Sequence, residues 1–91
     1  MRYCYVPYFQ RTVKKLDPHI KDKVSDAVNN IVDFYNEGGH STKGLGIKHL
    51  RDNLWEARAG LQIRILYDLS GGQVTFLLAG SHDDVRNFLK R

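Results

Sequence analysis

The sequence has 91 residues, of which 42% are hydrophobic and 11% aromatic, a composition that excludes an intrinsically disordered chain. Fourteen lysines and arginines against ten acidic residues give a net charge of +4, which favours nucleic acid or an acidic protein as the partner. The length predicts a single domain, residues 1–91, and the one cysteine excludes an intrachain disulfide.

No apolar run approaches the ~20 residues that a helix needs to span a bilayer. The start of the sequence, MRYCYVPYF, also lacks the apolar core and cleavage site of a signal peptide. We therefore expect a cytoplasmic protein that does not associate with membranes.

The first half of the sequence predicts one strand followed by two helices. The aromatic segment YCYVPYF at residues 3–9 is typical of a short strand, which its proline restricts to a sheet edge or a strand end. The segment FQRTVKKL allows a short helix. Asp17 and Pro18 then form an N-cap and first-turn pair, and the apolar residues that follow recur every three or four positions until the glycines at 38 and 39.

The second half predicts a loop, three strands and a final helix. Residues 38–53 contain four glycines and no sustained period, which predicts a long loop of the kind that often carries function. Short glycine-containing segments separate LWEARA, LQIRILYDL and QVTFLLAG, which predicts antiparallel hairpins. Ser81 and Asp84 match a capping box at the start of the final helix.

These elements predict an α+β fold with the order β-α-α-β-β-β-α. We expect a three- to four-stranded, mainly antiparallel sheet with two N-terminal helices packed on one face and a short C-terminal helix. The last strand is apolar on both sides, which is typical of an interior strand.

Strand alternation separates the arginines of the hairpin from its apolar residues. It places Arg58 opposite to Trp55 and Ala57, and Arg64 opposite to Ile65, so helices that cover the apolar side leave both arginines on an open face. Two interpretations remain: the arginines are solvated residues without a function, or they bind phosphate through the paired donors of the guanidinium group.

RNA cleavage fits these residue types better than the common alternatives do. RNA carries its own nucleophile, the 2′-hydroxyl, so cleavage needs a base, an acid and cations at the phosphate, and requires no metal and no cofactor. Histidine suits the proton transfers because its ordinary pKa is about 6.5. The sequence has no P-loop, G-x-G-x-x-G, G-x-S-x-G or H-E-x-x-H motif, and His49 with His82 lacks a third patterned metal ligand.

The ordered motifs KHL, LWEARAG, RILY and AGSHDD, concentrated in residues 48–85, resemble the RelE/ParE superfamily of toxins from type II toxin–antitoxin systems. The resemblance implies a small sheet whose open concave face cuts messenger RNA in the ribosomal A site. It also implies three partners: the ribosome, the mRNA, and a cognate antitoxin that covers the basic face in a heterotetramer or a larger complex.

The resemblance further implies a set of site residues. His82, in the GSH segment that histidine-using members share, would act as general acid or base. The remaining catalytic residues would be Arg58, His49 and Lys48. Phosphate-binding residues would be Arg64, Arg51 and Lys43.

The sequence departs from the family pattern in the hairpin. Ile63 stands where an aromatic residue is common, and the spacing from Arg58 to Arg64 is one residue longer than is common. The register of the hairpin, and with it the sheet face on which Arg64 lies, therefore stays open, as does a structural role for Arg64. Two other functions also remain open: a ParE-like inhibitor of DNA gyrase, and an inactive member of the fold that binds only a partner.

Overall fold

The computed structural model describes residues 1–38 and 44–90, and within them the chain forms three helices and a five-stranded sheet. The helices are α1 (Pro7–Lys14), α2 (Pro18–Asn36) and α3 (His82–Leu89). The strands are β1 (Arg2–Tyr5), β2 (Lys48–Arg51), β3 (Leu54–Ala59), β4 (Ile63–Ser70) and β5 (Gln73–Gly80). The α+β class and the predicted placement of the helices along the chain are confirmed.

The strands lie in the order β1-β5-β4-β3-β2. β1 runs parallel to β5, and the other neighbouring strands are antiparallel, as the mainly antiparallel prediction requires. β5 lies between β1 and β4, so its apolar character on both sides reflects an interior position.

The loop predicted for residues 38–53 is wrong at its C-terminal end, and the predicted count of three to four strands is corrected with it. Lys48–Arg51 forms β2, which pairs with β3 at the edge of the sheet. Its register shifts between His49 and Arg51, leaving Leu50 in a bulge. β2 has four residues and one apolar side chain, so its sequence shows no alternating pattern that would predict a strand. Its conformation is decided by the hydrogen bonds to β3.

The starts of α2 and α3 agree with the sequence prediction, whereas α1 begins at Pro7, inside the segment 3–9 that the sequence predicts as a strand. The caps of α2 and α3 differ in kind. Asp17 precedes α2, but in the described chain its side chain makes no capping hydrogen bond, and its carbonyl accepts the N–H groups of Ile20 and Lys21 at 2.9 Å. Ser81 and Asp84 form the predicted capping box of α3, with N–O distances of 2.9 and 3.1 Å. Within the described residues, no helix is both long and apolar enough to cross a membrane.

The two faces of the sheet are covered by different helices. On the first, here called the α2 face, α1 and α2 pack against Ala57, Ile65, Tyr67 and Phe76, which form the main core. On the other, here called the α3 face, Val85 of α3 packs on buried Leu66 and Leu78 in a smaller cluster. The three helices therefore lie on both faces of the sheet. α3 covers the second face because its apolar residues pack on Leu66 and Leu78.

A second bulge, in β5, sets which side chains reach the α3 face. Tyr67 pairs with Phe76 and Leu66 pairs with Leu78, so Leu77 is the extra residue. Without it, strict alternation would place residues 74, 76, 78 and 80 on one face. The bulge shifts the parity, and Gly80 lies on the α3 face, opposite Arg64.

The two phenol groups of Tyr35 and Tyr67 meet between α2 and the sheet, with 2.7 Å between their oxygens. Burial raises the pKa of Tyr67 far above its ordinary value, and burial also raises that of Tyr35, partly offset by the hydrogen bond from Tyr67. The folded chain therefore keeps phenol protons that the unfolded chain loses above a pH of about 10.

We expect the free energy of unfolding to fall as pH rises above about 10, since there the unfolded state binds fewer protons than the folded state. Urea unfolding at a series of pH values from 8 to 11 measures this slope. Tyr67→Phe should make the slope shallower, and an identical slope in the variant would contradict the assignment.

Candidate active site

A group of basic side chains lies on the α3 face at the end of the sheet where β3 and β5 end and β4 begins. Arg58 pairs directly with Arg64, and Arg64 pairs with Gly80 on the next strand. Lys48 pairs with Glu56, one pleat along the same face. We call Lys48, Arg58 and Arg64 the basic corner.

Arg58 is the exposed member of the Arg58–Arg64 pair, and it contacts the segment that precedes β2. Its backbone N–H donates to the carbonyl of Leu45 at 2.7 Å. Its side-chain stem lies against Gly46, where a Cβ atom would be 3.1 Å from Arg58 Cδ. Gly46 also has a φ of 59°, a conformation that favours glycine, and an added Cβ would require the Arg58 stem to move by a few tenths of an ångström. The guanidinium group is thus held at the surface, where it can meet an anion.

Arg64 is partly buried, with 17% of its side chain exposed, and faces the carboxylate of Glu56. Its Nε lies 3.5 Å from Oε2 of Glu56, whose side chain is 13% exposed. This is a charge contact and not a hydrogen bond, since Nε has no hydrogen-bond partner within the described residues. Alternation of LWEARA already placed Glu56 beside Arg58, but the pairing with β4 was needed to bring it to Arg64.

His82 is exposed at the first position of α3, directly after the N-cap Ser81. β5 delivers it to the same end of the sheet as the basic corner, because Gly80 pairs with Arg64. At a strand spacing of ~4.8 Å, the backbones of Arg58 and Gly80 are about 10 Å apart across β4. The turn from β5 into α3 requires glycine at 80, since a Cβ there would lie 2.7 Å from Asp84 Oδ2.

The structure does not bring His49 together with these residues. His49 pairs with Trp55, on the α2 face, and the two ring centroids are 4.7 Å apart. Its Nε2 lies 2.7 Å from the carbonyl oxygen of Asp52, a residue with a φ of 49° in the turn between β2 and β3. This contact holds the turn, and the ring is directed away from the basic corner.

One predicted phosphate ligand of the described residues lies outside the basic corner. Arg51 donates from Nη2 to the carbonyl oxygen of Leu89 at 2.5 Å, where a cation also complements the negative end of the α3 dipole. Lys43 lies outside the described residues. Within the described ranges, no cluster of three His, Cys, Asp or Glu side chains is placed to hold a metal ion.

No protein-family model and no curated protein sequence matches this chain significantly. Solved structures do match it. The RelB–RelE antitoxin–toxin complex from Methanococcus jannaschii aligns with a TM-score of 0.71 and 18% identity, covering 93% of this chain and 96% of that chain. The DinJ–YafQ complex from E. coli aligns with a TM-score of 0.71 and 17% identity, covering 93% and 98%.

A third structure, the YoeB/ParE toxin from Agrobacterium tumefaciens, aligns with a TM-score of 0.65 and 14% identity over 90% and 99% of the two chains. The chain has the RelE-type toxin fold. At these identities the likeness extends to the backbone and not to the side chains of a site, so the basic corner and His82 have to carry any functional conclusion.

Replacing Glu56 with glutamine should destabilise the fold, because it leaves the partly buried Arg64 guanidinium without a counter-charge. We expect a loss of ~1–3 kcal/mol in the free energy of unfolding, measured by urea titration. Asp83→Asn is the matched control, since it removes the exposed pair of Asp83 with Arg86, whose side chains are 72% and 60% exposed. That control should cost less than about 1 kcal/mol. Equal losses in the two variants would contradict a structural role for Glu56.

Proposed function

We propose that this chain is the toxin of a toxin–antitoxin pair and acts in the cytoplasm as a ribosome-dependent endoribonuclease. The observation that carries the proposal is the direct pairing of Arg58 with Arg64 on the α3 face, at the end of the sheet where β5 leads into His82. Transesterification of RNA requires proton-transfer groups and cations that bind the phosphate, and this end of the sheet offers both.

The reaction needs no group beyond protein side chains and the RNA itself. The 2′-oxygen forms a bond to phosphorus, the bond from phosphorus to the 5′-oxygen breaks, and a 2′,3′-cyclic phosphate and a 5′-hydroxyl result. One protein group accepts the 2′-hydroxyl proton, and another donates a proton to the leaving 5′-oxygen. Cations neutralise the charge that builds on the non-bridging oxygens.

We assign the roles from exposure and face. His82 carries out one of the two proton transfers, because it is the exposed histidine at the basic end of the sheet, whereas His49 is held on the α2 face. Lys48, on the same face as Arg58, is the group we assign to the other transfer. Arg58, at the surface, contacts the phosphate. Arg64 with its Glu56 partner holds the local charge in place, and Lys48 extends the positive surface along the strand.

An antitoxin is the expected protein partner. The matched structures from M. jannaschii and E. coli are complexes of a toxin with its antitoxin. For this chain, an acidic segment laid over the basic corner would neutralise Lys48 and Arg58 and block access of RNA to His82. Binding of such a segment should therefore weaken as ionic strength rises.

The proposal is tested by mapping mRNA ends in a translating extract. Wild-type protein should give cuts in phase with codons, and the same RNA without ribosomes should stay intact. His82→Ala should lower the cleavage rate by ~10²–10⁴-fold, and Arg58→Ala by ~10²–10³-fold. His19→Ala removes an exposed histidine of α2, and Arg2→Ala removes an exposed arginine at the opposite end of the sheet, where β5 begins; both variants should cleave as wild type does.

Intact mRNA together with blocked DNA supercoiling by purified gyrase would overturn the nuclease in favour of the gyrase-inhibiting alternative. Intact mRNA together with unaffected gyrase would favour the third alternative, an inactive protein of this fold that only binds a partner. Each variant needs a wild-type urea unfolding midpoint before its rate is interpreted.

Two neighbouring glycines provide a test of how Arg58 is positioned. Gly46→Ala and Gly44→Ala both place alanine at a φ near 60°, and each should cost about 1–2 kcal/mol of stability. Only at 46 would the new Cβ press on Arg58, because nothing lies within 4 Å of a Cβ at 44. We expect Gly46→Ala alone to lower the cleavage rate, by on the order of 10- to 100-fold. Equal rates in the two variants would mean that Gly46 does not position Arg58.

A further inference from the structure

A cleft of about 410 Å³ opens between α1 and α3 at the same end of the sheet as the basic corner. Its walls are partly apolar and partly polar. The apolar part includes Tyr8, Ile63, Leu78 and Phe88, and the polar part includes Lys15 and Asn87. Its volume lies in the lower part of the range of ~300–1,000 Å³ that is typical of small-ligand pockets.

The cleft adjoins the candidate active site along the chain and across the sheet. Two of its lining residues, Ile63 and Gly80, flank Arg64: one precedes it in β4, and the other pairs with it from β5. Ser81, also in the lining, immediately precedes His82. An RNA strand whose phosphate contacts the basic corner would therefore bring a neighbouring nucleotide to the mouth of the cleft.

The chemistry of the cleft fits one nucleotide. Tyr8 and Phe88 stack on each other, with ring centroids 6.0 Å apart and an interplanar angle of 29°, and the parts of the two rings that line the cleft form an aromatic wall. Nucleobases are apolar on their faces and polar at their edges, so they pair an aromatic wall with nearby amide and carboxylate groups. Asn87 supplies an amide, and Asp84 supplies a carboxylate whose Oδ2 already accepts the Ser81 N–H.

The charge around the cleft also favours a phosphodiester strand. α1 contains no acidic residue, and Lys15, a cleft-lining residue, lies at its C-cap. The Arg11 guanidinium carbon lies 5.7 Å from the centre of the Tyr8 ring. The carboxylate of Asp84 also lines the cleft, but it is held in the capping box of α3. Lys15 is the cationic side chain in the lining and is therefore suited to bind a phosphate.

We propose that this cleft binds the nucleotide next to the scissile phosphate, with the base against the Tyr8 and Phe88 wall and Lys15 on its phosphate. The inference rests on the proposed nuclease function and adds to it the element that reads the RNA sequence. Discrimination between codons then comes from the fit of one base in the cleft, while the basic corner treats every phosphate alike.

The direct test measures binding without cleavage. The protein carries His82→Ala, and the probe is a fluorescein-labelled single-stranded RNA heptamer followed by anisotropy. Adding Lys15→Glu should weaken binding by ~10-fold more than adding Lys14→Glu, its neighbour outside the cleft lining, although both variants have the same net charge. Asn87→Trp, which fills the mouth, should weaken binding by ~10-fold relative to Asn29→Trp, an exposed position on α2.

Cut mapping in an otherwise wild-type chain is the second readout. Asn87→Trp should change which base is found next to the cuts, and Asn29→Trp should not. Equal binding within both pairs of variants, with an unchanged cut pattern, would overturn the cleft while leaving the nuclease proposal intact. Selective loss of heptamer binding in a chain that cuts no mRNA would support the cleft and overturn the nuclease.

Discussion

The register between β3 and β4 is the constraint on which the rest of this structure depends. Pairing Ala57 with Ile65 and Trp55 with Tyr67 directs the large apolar side chains to the α2 face. The same register sets Arg58 opposite Arg64 on the other side. Because side chains alternate with a period of two, a slip of one residue would bury an arginine and expose isoleucine, at a cost no short hairpin could recover.

The second face is divided between packing and function by α3. Its apolar residues lie on Leu66 and Leu78, its start is fixed by a capping box, and Arg51 binds the carbonyl at its end. A helix of eight residues covers only part of the sheet. The end of the sheet that α3 leaves open holds the basic corner, and the first residue of α3 is His82, so the same helix supplies a group to the site it borders.

Charge is distributed unevenly among the three basic groups. Arg64 lies low in the sheet with Glu56 beside it, whereas Lys48 and Arg58 remain in solvent. With both arginines in solvent, neither would be held in position. With both buried, one cation would lack a counter-charge, which would destabilise the fold. Arg64, paired with Glu56, is compatible with a stable sheet, and exposed Arg58 keeps the basic corner positive. The aromatic cleft beside it offers contacts that depend on the base, which the corner itself cannot provide.

The sequence by itself determined the class of fold, the helix starts at Pro18 and His82 and the interior character of β5. It left open the face on which Arg64 lies, which the β3–β4 register decides. The features that the sequence determined follow from local chemistry: capping side chains, the period of apolar residues and strand alternation act within a few residues of one another. Only the tertiary structure decided that Lys48–Arg51 is a strand, that Leu50 and Leu77 form bulges, that His49 turns to the α2 face, and that Glu56 meets Arg64. Each of these depends on a partner strand distant in sequence, because a bulge reverses the parity of every side chain after it and leaves no local signal.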